Sequence, residues 1–369
     1  MNIRSTIRTF IAAVCMTILI LDSRTGIFGA SAGIDICLKT LIPSLFPFFI
    51  LSILLTDTLL GQPIKFLQPV TRLCHLPSGA ETLMAIGFLG GYPVGAQNVS
   101  FAYKQGALSQ KDAQRMVVFC NNAGPAFIFG FLGQIFENPL CPWLLWLIQI
   151  FSALTVGLLI PGRYNRTACK INSGNITFSD ALSKSIQVMA QVCGWVVLFR
   201  VILQFIHKWF FNFLPDKYQI FAPGFLELAN GCLQLNNLSS DGMKFVWSAF
   251  MLGFGGICVY LQTQSIAGSL SLHLYLPGKI LQGCISFLVA YGVQYIIYSG
   301  MRYVISPTII VGVLFFAVLI TVLLRNIEKP VAISCKILYN KKSCEKRRIL
   351  CCSGKRSKNP VSTAPVVPN

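Results

Sequence analysis

The chain has 369 residues, of which 54% are hydrophobic and only 11% charged, and its mean hydropathy is +0.66. A soluble domain carries about 25% charged residues, so this composition excludes an ordinary soluble globular protein and a disordered one. Lys and Arg outnumber Asp and Glu by 30 to 12, a net charge of +18, and half of that excess lies from Arg325 onward.

The natural unit for such a chain is a membrane span of roughly 20 apolar residues. Apolar segments fall near 9–21, 33–55, 81–103, 116–136, 140–160, 182–206, 245–268, 280–300 and 304–324. Arg4 and Arg8 precede the first, and Asp22-Ser23-Arg24 follows it where a cleaved leader would need small residues. Residues 1–32 are therefore expected to be a first span or signal anchor. The segments at 81–103 and 245–268 differ from the others in having glycine-rich, polar centres. The first contains Gly87-Phe88-Leu89-Gly90-Gly91-Tyr92-Pro93-Val94-Gly95-Ala96-Gln97-Asn98 and the second Gly253-Phe254-Gly255-Gly256, then Val259, Gln262 and Gln264. At a constant offset Gly90, Gly91, Val94 and Gln97 fall on Gly255, Gly256, Val259 and Gln262.

Each of these stretches has one apolar span before it and two after it. The spacing predicts two repeats, 33–160 and 180–324, joined by a basic cytoplasmic linker at 161–179 and followed by a basic disordered tail at 325–369. The expected fold is an all-α polytopic membrane protein of about 7–9 helical segments, its two repeats inverted, each with a broken or re-entrant glycine-rich hairpin. With the N-terminus inside, Lys65, Arg72, Lys104, Lys111, Arg115, Arg163, Arg166 and Lys170 are cytoplasmic, and bringing the tail inside as well requires an even number of crossings.

Irregular backbone at membrane depth must be buried in protein or line a wet cavity. Gly90, Gly91, Pro93, Gly95, Gly255 and Gly256 are expected to break their helices and free peptide groups for a solute; the alternative is that the glycines only permit close helix packing. Phe119-Cys120-Asn121-Asn122-Ala123-Gly124-Pro125 adds two asparagines inside an apolar span, with Gly124 and Pro125 as further breakers. Their amides could read a solute or staple a kink. Glu81 and Glu227 are expected to be interfacial and solvated; a buried one would be a proton or cation site. Ser109 with Asp112 marks a helix start. The 14 cysteines are scattered without a CxxC pair, and no metal site or cofactor is expected. No nucleophile–base or P-loop pattern is present, so no enzyme is expected.

Leu41-Ile42-Pro43-Ser44-Leu45-Phe46-Pro47-Phe48-Phe49, the Gly87–Ala96 string and Phe119–Pro125 together resemble the sporulation integral membrane proteins of endospore-forming bacteria, which carry the nucleoside-recognition, or Gate, domain. The resemblance covers most of 33–300, and the second-half Gly253–Gly256 with Gln262 fits it. It extends distantly to the gate segments of ferrous-iron and concentrative nucleoside transporters. It implies a multi-pass protein of the bacterial cytoplasmic membrane with a solute-recognition fold, acting in sporulation. In nucleoside transporters the hairpins carry acidic residues, whereas the polar hairpin residues here are Tyr92, Gln97, Asn98, Gln262 and Gln264.

The expected function is a permease-like protein that binds a small polar, nucleoside-like solute through Tyr92, Gln97, Asn98, Asn121, Asn122, Gln262 and Gln264. The alternatives are a non-transporting assembly protein for spore formation and a metal-ion permease. Expected partners are the lipid bilayer, the solute, anionic lipid headgroups at the basic tail and a further copy in a homo-oligomer. Nucleic acid is not expected, because few aromatics interleave the basic residues.

Overall fold

A computed structural model describes residues 3–298 apart from 60–61, 163–168, 170–175, 211–212 and 214–215. The linker's basic residues, the segment predicted at 304–324 and the basic tail lie outside the described residues. Every regular element described is helical: α1 (Ile3–Leu21), α2 (Ser23–Ile36), α3 (Ile42–Leu59), α4 (Gln68–Leu73), α5 (Ala80–Gly90), α6 (Val94–Lys104), α7 (Gln110–Cys120), α8 (Leu140–Leu159), α9 (Phe178–Trp209), α10 (Asp216–Leu226), α11 (Leu228–Gln234), α12 (Asp241–Phe254), α13 (Gly256–Ala267) and α14 (Tyr275–Tyr298), with short 3₁₀ and π turns between some of them.

Local chemistry explains several starts. Ser109 accepts from the Asp112 N–H at the head of α7, as its sequence predicts, and Ser240 does the same for Met243 at α12. Thr177 and Asp180 form a reciprocal capping box on α9. A π turn, Cys37–Leu41, joins α2 to α3, giving one helical rod over Ser23–Leu59. Five described stretches are long and apolar enough to cross a membrane: Ser23–Leu59, Leu140–Leu159, Phe178–Trp209, Asp241–Ala267 and Tyr275–Gln294. Large apolar side chains such as Phe10, Phe28, Leu147 and Leu288 are exposed on the outside, as lipid contact requires.

Small residues bring the longest helices together. A Cβ on Gly29 would stand 2.9 Å from Val201 Cα, and one on Gly33 would stand 2.9 Å from Val197 Cα, so the backbones of α2 and α9 touch along a Gly-x-x-x-Gly seam. Gly253 on α12 likewise faces the Gly283 backbone of α14.

Two short helical hairpins stand out among the described residues. Gly87 and Gly95 are eight residues apart, about 12 Å along an unbroken helix. A methyl group on either would strike the same atom, the Cys120 carbonyl oxygen. So α5 and α6 form a helical hairpin whose tip is Gly91-Tyr92-Pro93. Gly224 and Gly231, about 10 Å apart on an unbroken helix, also meet backbone to backbone. The second hairpin is therefore α10–α11, with Glu227 at its tip.

This corrects the expected position of the second hairpin. The helix at 245–268 does break, at Gly255, but α12 then packs along α14 while α13 packs on α6, α9 and α10. Two glycines at φ +81 and +83 deflect the chain there without reversing it. In order along the chain, 255–256 is the counterpart of the 121–125 break rather than of 90–91. Each half therefore runs hairpin, helix, break, helix.

Candidate functional site

Four interruptions meet at one point. A Cβ on Gly91 would lie 2.6 Å from Gly124 N, which places the first hairpin tip on the 121–125 break. Tyr92 Oη donates to Leu252 O at 3.2 Å, and a Cβ on Gly255 would lie 2.9 Å from that hydroxyl. A Cβ on Gly256 would lie 3.2 Å from Leu226 O, at the tip of the second hairpin. Between them is a cavity of about 50 Å³. Its polar lining is Tyr92, Glu227 and Gln262; Gly90, Gly91 and Gly124 supply backbone; Leu41, Leu45, Phe49, Val192 and Val196 supply apolar wall.

Two larger cavities flank it. The first, about 520 Å³, is lined by Thr56, Asp57, Gln97, Asn98, Lys104, Lys184, Gln187 and Gln191, with Ile53, Val94, Val188 and Ile266 on its apolar side. The second, about 430 Å³, is lined by Arg200, Gln204, His207, Gln219, Gln234 and Asn237, with Leu203, Ile220 and Pro223. Helix α9 orders all three. Residues 184–191 face the first vestibule, 192 and 196 the central cavity, and 200–207 the second vestibule. From Lys184 to His207 is about 35 Å of helix, against a hydrocarbon core of about 30 Å. The steps between cavities are single turns: Ile53 and Phe49 on α3, Val188 and Val192 on α9, and Ile266 and Gln262 on α13 lie four residues apart on either side of the first step, as do Val196 and Arg200 on α9 at the second. Helix α6 of the first hairpin lines the first vestibule with the N-terminal half of α9, and α10 of the second hairpin lines the second vestibule with its C-terminal half.

The predicted site residues divide into four groups. Tyr92 and Gln262 line the central cavity. Gln97 and Asn98 line the first vestibule, where Asn98 Nδ2 donates to Thr56 Oγ1 at 3.4 Å. Asn121 and Asn122 are both fully buried and engaged in staples. Asn121 Oδ1 accepts from Ala96 N at 3.3 Å, and its Nδ2 donates to Thr263 Oγ1 at 2.9 Å and Tyr275 Oη at 3.0 Å. Asn122 Nδ2 donates to Phe119 O at 2.6 Å, and its Oδ1 accepts from Lys279 Nζ and Gln282 Nε2, both at 2.9 Å. With their amide groups held this way, both are kink staples in this state. Gln264 faces outward, exposed, because it lies two positions from Gln262 and hence on the far side of α13.

Of the predicted helix breakers, Gly91 and Pro93 are in the first hairpin tip, Gly124 and Pro125 close the 121–125 break, and Gly255 with Gly256 forms the last. Gly90 ends α5, whereas Gly95 lies inside α6, where it permits contact with Cys120 O. The peptide groups freed at 121–125 are partly claimed by protein: Gln149 Nε2 donates to Ala123 O at 2.7 Å.

Both expected surface carboxylates are buried. Glu81 is 1% exposed and accepts from Gly79 N and Thr71 Oγ1, closing the turn ahead of α5. Glu227 is 3% exposed, because the hairpin carries it inward as a cap; it accepts from Ala229 N at 3.0 Å, Asn230 N at 2.7 Å and Asn230 Nδ2 at 2.6 Å. Asn230 Oδ1 in turn accepts from Arg200 Nη1 at 3.1 Å, linking central cavity to second vestibule. Sequence reading missed Arg200, Tyr275, Lys279 and Gln282. Lys279 was detectable as a lone charge within the apolar run 275–294, but a predicted span starting at 280 put it at the boundary. Among the described residues no three His, Cys, Asp or Glu side chains gather as a metal-binding group.

A bundle of lipid-facing helices with interrupted segments meeting at a small, mostly apolar cavity defines a multi-pass integral membrane protein. The chain is similar to the sporulation integral membrane protein YlbJ of Bacillus subtilis (strain 168), with 26% identity over 323 residues, covering 73% of this chain and 78% of that protein. No family model matches the sequence, and no solved structure matches it.

Proposed function

We propose that the protein is a permease-like protein of the bacterial cell membrane that recognises a small polar, nucleoside-like solute at the central cavity and passes it between the two vestibules. The observation that carries this is the row of three cavities along α9, with four interrupted segments at the middle one. A cavity of about 50 Å³ holds only a few waters at roughly 10–15 Å³ each. Solute binding therefore needs one hairpin tip to withdraw, while the other stays seated. Hairpins entering from opposite ends of α9 are what an inverted duplication of 33–160 and 180–324 produces, and alternating access is its usual use. Gln262 supplies donor and acceptor, Tyr92 a ring face, and no covalent chemistry is involved. A role in spore formation follows from the likeness to YlbJ, and the basic residues of the C-terminal sequence would attract anionic headgroups.

The test is a thermal-shift screen of purified protein against nucleosides, amino acids and dipicolinate, repeated with Gln262→Ala. A stabilising ligand whose effect disappears in the variant supports the site. If no compound stabilises the protein, or one does so equally well in both forms, the reading fails. The name of the relative speaks of sporulation rather than transport, which favours a second reading: a membrane assembly protein acting through its tail. Removing residues 330–369 would then abolish function and leave ligand binding irrelevant.

A further inference from the structure

Lys279 is an ionisable side chain for which the solute path has no use. It sits one turn into α14 and is completely buried. Its Nζ donates to Asn122 Oδ1 at 2.9 Å and to Gln282 Oε1 at 2.9 Å. It also stands over two aromatic faces, 5.6 Å from the Tyr92 ring centroid and 5.8 Å from that of Tyr275. No carboxylate among the described residues pairs with it; the four ion pairs present belong to Lys39, Arg115, Lys208 and Lys244. A lysine inside the membrane without a counter-ion is costly and is kept where its position does something.

The surroundings are those of a monovalent cation. Amide oxygens and aromatic faces are what proteins place around potassium-like or ammonium ions when no negative charge is to be neutralised. Two of the four groups belong to interruptions: Tyr92 to the first hairpin tip and Asn122 to the 121–125 break. Tyr92 in turn donates to Leu252 O, within a turn of the break at Gly255. The ammonium group thus bears on three of the four interruptions from a helix that has none.

We propose that the junction of the 91–93 and 121–125 breaks is a monovalent-cation site and that the chain fills it with its own tethered ammonium group, Lys279. The closed junction then takes up no dissolved cation at this position. The inference is independent of solute transport, and its test uses neither a solute nor the Gln262 variant.

Cutting the side chain back with Lys279→Ala removes three methylenes and the ammonium, a fragment equal to n-propylammonium. Unfolding midpoints of the purified variant are compared in n-propylammonium chloride and in tetramethylammonium chloride at equal concentration. The expected result is a midpoint several degrees below wild type, with at least half the loss recovered in n-propylammonium and none in tetramethylammonium, which has no N–H to donate. Lys279→Met, whose chain fills the same space without charge, should melt low and respond to neither salt. A wild-type midpoint for Lys279→Met, or equal effects of the two salts on Lys279→Ala, overturns the proposal. If Lys279→Ala does not yield folded protein, Gln282→Glu decides. It should be tolerated with Lys279 present and lower the midpoint strongly in the Lys279→Met background, whereas equal effects in both backgrounds would refute the charge.

Discussion

Gly91 and Gly255 have no room for a side chain, and the reason lies partly in their own backbone. Both sit at positive φ, +74° and +81°, a region that costs L-residues strain. Both also face a neighbouring interruption, Gly91 the Gly124 backbone and Gly255 the Tyr92 hydroxyl. Gly91→Ala adds backbone strain of about 1–3 kcal/mol to a clash that only backbone movement can relieve. The expected outcome is a clear fall in the unfolding midpoint of the purified protein. Gly106→Ala shares the positive φ but has open space around it, so it should lose less in the same assay, and the difference measures the crowding at the junction. The residue types at these positions were readable in the sequence. The asparagines beside them were not, because an amide that binds a solute and one that binds its own protein are identical letters. Asn121 is committed by Ala96, Thr263 and Tyr275, partners from three other segments.

Elements show where pattern reading reaches its limit. Glycine pairs and prolines mark where a helix stops, so the breaks near 91–93, 121–125 and 255–256 were all visible. They do not say which way the chain leaves. That is decided by long-range contact, as when Gly87 and Gly95 settle around the Cys120 carbonyl. The second hairpin escaped notice for a different reason. Its tip has neither a glycine pair nor proline, and glutamate is not among the preferred capping residues, so 225–231 reads as an amphipathic stretch. Yet Glu227 caps α11 through two backbone N–H groups. Loss of a cap costs about 0.5–2 kcal/mol, so Glu227→Ala should raise amide hydrogen exchange across Leu228–Gln234 while leaving α8 unchanged. Protection that stays at the wild-type level in α11 would mean the carboxylate has another purpose.

At the scale of the whole molecule the all-helical membrane class follows from composition alone, but the route through it does not. Polar residues on α9 look scattered along the sequence, and only the positions of the hairpins divide them into two vestibules on either side of Val192 and Val196. Access should divide in the same way. In oriented vesicles, Gln191→Cys should react with a membrane-impermeant maleimide from the side of Lys104 and Lys184, and Gln204→Cys only from the opposite side. Labelling of both from one side would remove the seal at the centre. The seam of Gly29 and Gly33 against Val201 and Val197 bears on how such a seal can work. Two backbones in direct contact leave no slack for sliding, so α9 is bolted to the first long rod and behaves as a rail. Under the proposed reading, movement past its midpoint would therefore fall to the short hairpins on either side of it.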